Sequence, residues 1–168
     1  MPKSAIPTRR SGKIEEAIIR LLTKRRQTLA LAESCTGGGI AHRLTNVPGA
    51  SVVFLGGIVA YSNAAKQKFL GVRAKSLARH GAVSEAVARA MAEGAREKFG
   101  ADFALAVTGI AGPTGGTKAK PVGTVFIALA GAPGTAVERK FNPCGRERFK
   151  DLTAQQALEM LRLRLARD

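Results

Sequence analysis

The chain has 168 residues, 45% of them hydrophobic, and its formal net charge is +15 because 27 Lys and Arg outnumber 12 Asp and Glu. This size predicts one domain. No apolar run approaches the ~20 residues of a membrane span, and no CxxC or histidine cluster indicates a metal site. We therefore expect a metal-free protein of the reducing cytoplasm with no membrane partner. Basic charge attracts anionic ligands and nucleic acid, but no zinc-finger or RNP-type signature occurs, and nucleic acid is not expected as the main partner.

Helical and β patterns alternate along the chain after a basic tail. Residues 1–10 are predicted to be disordered, and a single domain is expected at 11–168. Helices are predicted at 12–26, 40–46, 62–70, 74–79, 84–99 and from about 146, and strands at 28–32, 52–54, 57–61, 103–107, 123–130 and 135–141. The last two strands are expected to form an antiparallel hairpin. This alternation predicts an α/β fold with helices on both faces of a mostly parallel sheet.

The stretch Glu-Ser-Cys-Thr-Gly-Gly-Gly at 33–39 joins the first predicted strand to the second helix. Such a turn exposes the side chain at its apex, Ser34, and leaves helix N-terminal N–H groups unpaired. A nucleophile needs that exposure, and an oxyanion or a phosphate needs those N–H groups. A glycine-rich loop with a plain helix cap is the alternative. A second glycine-rich loop follows at 108–117, and ligands of such sheets bind at the carboxyl ends of strands.

A nucleophilic Ser34 needs a general base. His42 lies eight residues along the helix, ~12 Å away at 1.5 Å per residue, which is beyond hydrogen-bond reach. His80 occupies a predicted helix end, where a capping role is the more common one. Lys66 follows the strand that ends at Tyr61, and it can act as a base in a Ser–Lys pair if its pKa is lowered. An exposed helix lysine is the alternative. Neither glycine-rich loop carries a nucleotide-binding fingerprint.

Five short motifs occur in one order along the chain: AESCTGG at 32–38, VAYSN at 59–63 with Lys66 after it, HGAVS at 80–84, VTGIAGP at 107–113 and KPVGT at 120–124. Together they resemble the CinA C-terminal domain family in its stand-alone form, the nicotinamide-nucleotide amidases. The resemblance covers about residues 12–166.

The resemblance implies a three-layer α/β/α sandwich with a mostly parallel, mixed sheet. It also implies hydrolysis of the carboxamide of nicotinamide mononucleotide to nicotinate mononucleotide and ammonia, in pyridine-nucleotide salvage, without metal or cofactor. A homo-oligomer is a family-level expectation. The site residues that it implies are Ser34 as nucleophile, Lys66 as general base, Tyr61 orienting Lys66 or the substrate, and Thr36, Gly37, Gly38, Thr108, Gly109 and Arg146 binding the substrate.

The sequence departs from the family pattern before the last helix. The family usually has Gly-Asp-Arg there, with an arginine expected to bind substrate, whereas residues 142–148 read Asn-Pro-Cys-Gly-Arg-Glu-Arg without the aspartate. Arg146 is the best match and Arg148 the next. The 5′-phosphate of the substrate is expected near basic side chains, for which Arg146, Lys118 and Lys120 are candidates.

Two other functions are consistent with the same residues. The first is a non-catalytic nucleotide-binding or sensing domain of this fold, in which Ser34 and Lys66 only hold a phosphate. The second is a DNA-associated protein that acts through its positive charge. Cys35, beside Ser34, is expected to be a small packed side chain rather than a nucleophile, because nothing in the sequence marks a thiol of lowered pKa.

Overall fold

The computed structural model describes residues 14–167, so the basic tail predicted at 1–10 lies outside the described residues. The strands are β1 Leu29–Glu33, β2 Phe54–Val59, β3 Phe103–Gly109, β4 Thr124–Gly131 and β5 Gly134–Phe141. The helices are α1 Ile14–Arg25, α2 Gly39–Thr45, α3 Asn63–Leu70, α4 Ala74–His80, α5 Glu85–Phe99 and α6 Arg146–Arg167. No helix among residues 14–167 is long and apolar enough to cross a membrane.

The five strands form one mixed sheet in the order β2-β1-β3-β4-β5. β1 pairs in parallel with both β2 and β3, and β4 runs antiparallel to β3 and β5. Four strands therefore share one direction and only β4 is reversed. Gly131 and Gly134 close the predicted β4–β5 hairpin. The α/β sandwich with a mixed sheet that is mostly parallel is confirmed.

The two faces of the sheet carry side chains of different size. Successive residues of a strand point to opposite faces, and here the alternation is between large and small residues. The core shared with α1, α2 and α6 contains Leu29, Leu31, Phe103, Leu105 and Val107. The core shared with α3, α4 and α5 contains Ala30, Ala32, Ala104 and Ala106. Small alanines allow the second helix layer to lie close to the sheet.

Helix α3 packs against α5 at a position that accepts only glycine. A Cβ atom on Gly94 of α5 would lie 1.9 Å from the carbonyl oxygen of Leu70, the last residue of α3. Gly71 then ends α3 in the left-handed conformation, with φ of 68°. The contact matters for the site because α3 also carries Lys66.

The strand predicted at 52–54 is wrong over most of its length. Val52 lies in a 3₁₀ turn at Ala50–Val52. The N–H groups of Val52 and Val53 bond back to the carbonyls of Gly49 and Ala50, both at 3.1 Å. Because these local hydrogen bonds already use the backbone donors, the apolar, β-branched stretch joins the sheet only from Phe54.

The predicted helix starts at 62–63 and 84 are confirmed with their caps. The Ser62 hydroxyl accepts the Ala65 N–H at 3.1 Å, and the Ser84 hydroxyl accepts the Val87 N–H at 3.3 Å. Each serine satisfies one of the N–H groups that a helix start leaves without an intrahelical partner.

We expect Gly94→Ala to destabilise the fold by about 3 kcal/mol, because the new methyl group would overlap a backbone carbonyl that cannot move without shifting α3. The free energy of unfolding in urea measures the change. Gly39→Ala is the matched control, since no atom lies within 4 Å of its Cβ position. Equal stability of the two variants would contradict this close contact.

Candidate functional site

Ser34 lies at the carboxyl edge of the sheet, between the ends of β2 and β3. Its N–H bonds to the carbonyl of Val107 at 3.1 Å, and the carbonyl of the preceding residue, Glu33, accepts the N–H of Ala60 at 2.8 Å. The alternation that points Ala32 toward α3–α5 places the Ser34 side chain on the same face. Only 8% of Ser34 is exposed, so the residue is less accessible than its place at a turn apex predicts.

Lys66 extends from α3 to Ser34 through the interior. Its residue is 2% exposed, and its Nζ lies 3.0 Å from Ser34 Oγ and 2.9 Å from the carbonyl oxygen of Ala60. Burial lowers the pKa of Lys66 below its ordinary value of 10.5, because a charged amine loses its hydration there. No carboxylate of residues 14–167 forms an ion pair with it. The structure therefore brings together the predicted nucleophile and base, with the base shifted toward its neutral form.

The turn after Ser34 is built around the carboxylate of Glu33, which is 1% exposed. One carboxylate oxygen accepts the Thr36 hydroxyl at 2.6 Å and the N–H groups of Gly38 and Ile40, both at 3.1 Å. The other accepts the Ala41 N–H at 2.8 Å. The prediction that the α2 N–H groups are unpaired is thus wrong, because a side chain of the turn already binds them. A carboxylate just ahead of a predicted helix start is the sequence signal for this role.

Two further N–H groups of the turn are used locally. Gly37 donates to the carbonyl of Ser34 at 3.1 Å, and Gly39 donates to that of Thr36 at 3.2 Å. By contrast, no oxygen of the described residues accepts the N–H of Cys35 or of Thr36. These two N–H groups, which follow Ser34 directly, are the ones that the turn leaves for a ligand oxygen.

The Cys35 side chain packs into the core on the α1–α2–α6 side and is 5% exposed. Burial raises the pKa of its thiol to about 12. A thiol of raised pKa is protonated at neutral pH and is a poor nucleophile. The prediction of a packing role for Cys35 is confirmed.

A cavity of about 630 Å³ opens beside the turn, between α2 and α6. We call it the α2–α6 cavity. Its walls are the turn at 36–39 and the charged side chains of Arg43, Arg146, Glu147, Lys150 and Asp151, with His42 and Ala154. The predicted substrate-binding residues Thr36, Gly37, Gly38 and Arg146 all line it, whereas Arg148 does not.

Arg146 connects three parts of the rim. Its guanidinium donates to Tyr61 Oη at 2.6 Å and to the carbonyl of Gly112 at 2.9 Å. Tyr61 is 58% exposed and, among the hydrogen bonds of residues 14–167, has none to Lys66. Tyr61 therefore does not orient Lys66, because the Ala60 carbonyl binds the amine instead, and the alternative that Tyr61 orients the substrate stays a prediction.

The predicted binding residues on β3 have structural partners. The Thr108 hydroxyl donates to the carbonyl of Ala82 at 2.9 Å and anchors the loop before α5. A Cβ atom on Gly109 would lie 2.9 Å from the ring of Phe149 on α6. Neither residue lines the α2–α6 cavity, and their contact with a substrate stays a prediction.

Lys118 and Lys120, the other basic residues predicted near the phosphate, do not line the α2–α6 cavity. Lys120 donates to the carbonyl of His80 at 2.6 Å, and Lys118 is exposed. The sequence prediction missed Lys150, which lines the α2–α6 cavity. Its signal was its spacing, since residues four apart share one face of a helix and Lys150 follows Arg146 by four.

No group of three His, Cys, Asp or Glu side chains among the described residues could hold a metal ion.

We expect Glu33→Ala to destabilise the protein by about 3 to 5 kcal/mol and to abolish any activity at Ser34. The substitution leaves one hydroxyl and three N–H donors of the turn without their acceptor. Urea unfolding measures the loss. Glu85→Ala removes an exposed carboxylate paired with Arg89 and should change stability by less than about 1 kcal/mol. A similar small loss in Glu33→Ala would mean that the carboxylate does not hold the turn.

Comparison with known proteins places these features in one family. The family model described as the CinA C-terminal domain matches residues 11–165. The CinA-like protein of Anaeromyxobacter sp. (strain Fw109-5) is 57% identical over 149 residues, which are 88% of this chain and 36% of that protein. The CinA-like protein of Parasynechococcus marenigrum (strain WH8102) is 52% identical over 154 residues, 90% of this chain and 37% of that protein. The chain thus spans a little over a third of the length of these curated relatives.

Solved structures of related proteins superpose on nearly the whole of this chain. The competence damage-inducible protein A (ComA) from Klebsiella pneumoniae subsp. pneumoniae MGH 78578 has a TM-score of 0.89 at 37% identity, covering 92% of this chain and 96% of that one. The competence/damage inducible protein CihA from Agrobacterium tumefaciens has a TM-score of 0.84 at 41% identity, covering 98% and 99%. From the family match, the relatives and the shared fold, we conclude that this chain belongs to the CinA C-terminal domain family.

Proposed function

We propose that this protein is a Ser–Lys amidohydrolase that converts nicotinamide mononucleotide to nicotinate mononucleotide and ammonia. The observation that carries the proposal is the 3.0 Å contact between Ser34 Oγ and the buried Nζ of Lys66. An activated serine needs a base within hydrogen-bond reach, and this lysine has a lowered pKa. The choice of substrate follows from the amidases that the sequence motifs resemble.

The first chemical step is attack of Ser34 Oγ on the carboxamide carbon. A neutral Lys66 amine has one lone pair and two N–H donors. It donates to the Ala60 carbonyl at 2.9 Å, which leaves the lone pair available to accept the Ser34 hydroxyl proton. The serine–carbon bond forms as this proton moves to Nζ, and the carbonyl oxygen becomes an oxyanion.

The oxyanion needs donors placed beside Ser34. The N–H groups of Cys35 and Thr36 are suited to this role, because the turn itself uses those of Gly37 to Ala41. One such donor stabilises a comparable transition state by ~3–4 kcal/mol. The carbon–nitrogen bond then breaks as Lys66 gives its proton to the leaving amino group, which departs as ammonia. Water attacks the acyl-enzyme while Lys66 accepts one of its protons. The bond between Ser34 Oγ and the acyl carbon then breaks, and Lys66 returns the proton to Oγ, which releases the carboxylic acid and regenerates the serine.

The surroundings of Lys66 argue against a non-catalytic nucleotide-binding or sensing role. A lysine that only holds a phosphate works best as a charged ammonium with access to the ligand. Lys66 is 2% exposed and its pKa is lowered.

The DNA-associated alternative predicts salt-sensitive duplex binding that survives Ser34→Ala and weakens when residues 3–10 are removed. A homo-oligomer and a cytoplasmic location stay predictions.

We expect Ser34→Ala to abolish ammonia release from nicotinamide mononucleotide while binding of the nucleotide stays within about tenfold. The variant removes the attacking oxygen and leaves the residues that line the α2–α6 cavity unchanged. The measurement is ammonia release by purified protein without added metal. Ser51→Ala, at an exposed serine of the 3₁₀ turn, should keep full activity. Equal background release by the wild-type protein and Ser34→Ala would exclude this substrate.

We expect kcat/KM of the wild-type enzyme to rise with pH along a limb whose apparent pKa lies below 10.5, because the base must be neutral and burial lowers the Lys66 pKa. Lys66→Met should be inactive at every pH and more stable by about 1 kcal/mol. The gain should be largest at low pH, where the wild-type protein buries an ammonium. A pH–rate profile and urea unfolding at several pH values measure both effects.

Lys68→Met is the matched control, because Lys68 is an exposed lysine of the same helix. It should retain the wild-type pH profile and stability. Activity of Lys66→Met near the wild-type level would rule out Lys66 as the base.

A further inference from the structure

The helix N-terminus nearest Ser34 is closed to the phosphate of a nucleotide. Helix starts often bind phosphate through free N–H groups. In this protein the Glu33 carboxylate already accepts the N–H groups of Gly38, Ile40 and Ala41. A phosphate at that end of α2 would meet a second anion and no free donor. The α2 start therefore does not hold the phosphate, and the cationic side chains that line the cavity are the candidates for that role.

Two of the three cations that line the α2–α6 cavity have partners. Arg43 forms an ion pair with the buried carboxylate of Glu15 and donates to Gln155 at 2.6 Å. Arg146 donates to Tyr61 and to the carbonyl of Gly112. Those partners are neutral, and no carboxylate of residues 14–167 forms an ion pair with Arg146, but the two hydrogen bonds fix the guanidinium at the rim.

Lys150 is the third cation, and it lies against the turn. Its Nζ is 3.6 Å from the point that a Cβ atom on Gly37 would occupy. The ammonium is also near enough to Cys35, the neighbour of Ser34, to oppose the rise in the pKa of that thiol. Among residues 14–167, no carboxylate forms an ion pair with Lys150. Lys150 is half-buried, so a ligand in the cavity can contact it.

The acidic residues of the cavity limit how far its positive charges can attract a phosphate. Glu147 and Asp151 line the same space, and at a distance their charges largely cancel those of Arg146 and Lys150. Attraction of a phosphate into the cavity therefore depends on direct contact with an ammonium or guanidinium rather than on a general positive field. Lys150 is the cation placed at the turn, on the side that faces the cavity.

We propose that Lys150 binds the phosphate monoester of the substrate in the α2–α6 cavity and thereby selects nucleotides over nucleosides. The inference rests on the proposed amidase function. Gly37 lets the turn come close to the ammonium, because its φ of 62° is a conformation that other residues rarely adopt. Arg146 closes the rim of the same cavity.

The test compares nicotinamide mononucleotide with nicotinamide riboside, which has the same carboxamide and no phosphate. Lys150→Ala should raise KM for the nucleotide by about 10- to 100-fold, the range for loss of one charge-assisted hydrogen bond. Its kcat should stay within about threefold, and kcat/KM for the riboside should not change. Lys150→Arg should restore most of the affinity for the nucleotide, because it keeps the charge.

Lys75→Ala is the matched control, since it removes one exposed lysine charge from α4 in the other helix layer. It should leave KM for both substrates unchanged. An unchanged KM in Lys150→Ala would overturn the proposal. So would an equal loss of kcat on nucleotide and riboside, which would mean that Lys150 acts on the acyl transfer instead.

The failure of the proposed function would be recognised separately. If the wild-type protein releases no ammonia from nicotinamide mononucleotide, calorimetric binding of that nucleotide and of inorganic phosphate tests Lys150 by itself. Binding by the wild-type protein that weakens in Lys150→Ala but not in Lys75→Ala would support the phosphate site. Equal binding by all three proteins, or none by any of them, would exclude it.

Discussion

The Glu33 carboxylate is the interaction on which the site depends. It sits at the end of β1, nearly inaccessible to solvent, and accepts one hydroxyl and three N–H groups from the next eight residues. A buried carboxylate is tolerated only with such partners, because an unpaired one is very costly. The turn is therefore held in one conformation, which fixes Ser34 at its start. The same bonds decide which backbone donors remain: those of Cys35 and Thr36.

The unequal faces of the sheet explain how Lys66 reaches this turn. Alanines on β1 and β3 bring α3–α5 close to the sheet, and Gly94 lets the end of α3 contact α5. The side chain of a lysine on α3 can then end at Ser34 rather than in solvent. The opposite face carries leucines, valine and phenylalanine under α1, α2 and α6. The cavity opens on that side, so the proposed base and the proposed phosphate site approach the turn from opposite helix layers.

Two lysines near the turn differ in burial and surroundings, in a chain whose net charge is +15. Lys66 is enclosed, bonded only to neutral oxygens, and its pKa is lowered by burial. Lys150 is half-exposed beside the turn. A buried amine suits proton transfer and an accessible ammonium suits anion binding. Their different surroundings therefore suit the two lysines to the different roles proposed for them, although a count of basic residues treats them alike.

The sequence by itself determined the local elements, because their signals lie within a few residues. Ser62 and Ser84 cap helices as predicted, and the motifs identify the family. Two local predictions were wrong: turn hydrogen bonds replaced most of the strand at 52–54, and the Glu33 carboxylate binds the α2 N–H groups that were predicted to be unpaired. The residues alone left Lys66 open between a base and a surface lysine, and the resemblance favoured the base. Tertiary structure decided the rest. The order β2-β1-β3 places Ala60 and Lys66 beside Ser34, although Lys66 is 32 residues from Ser34 in the sequence. The packing of α6 brings Arg146 into a hydrogen bond with Tyr61, which has none with Lys66. Such contacts depend on which strands and helices become neighbours, and no local pattern encodes that.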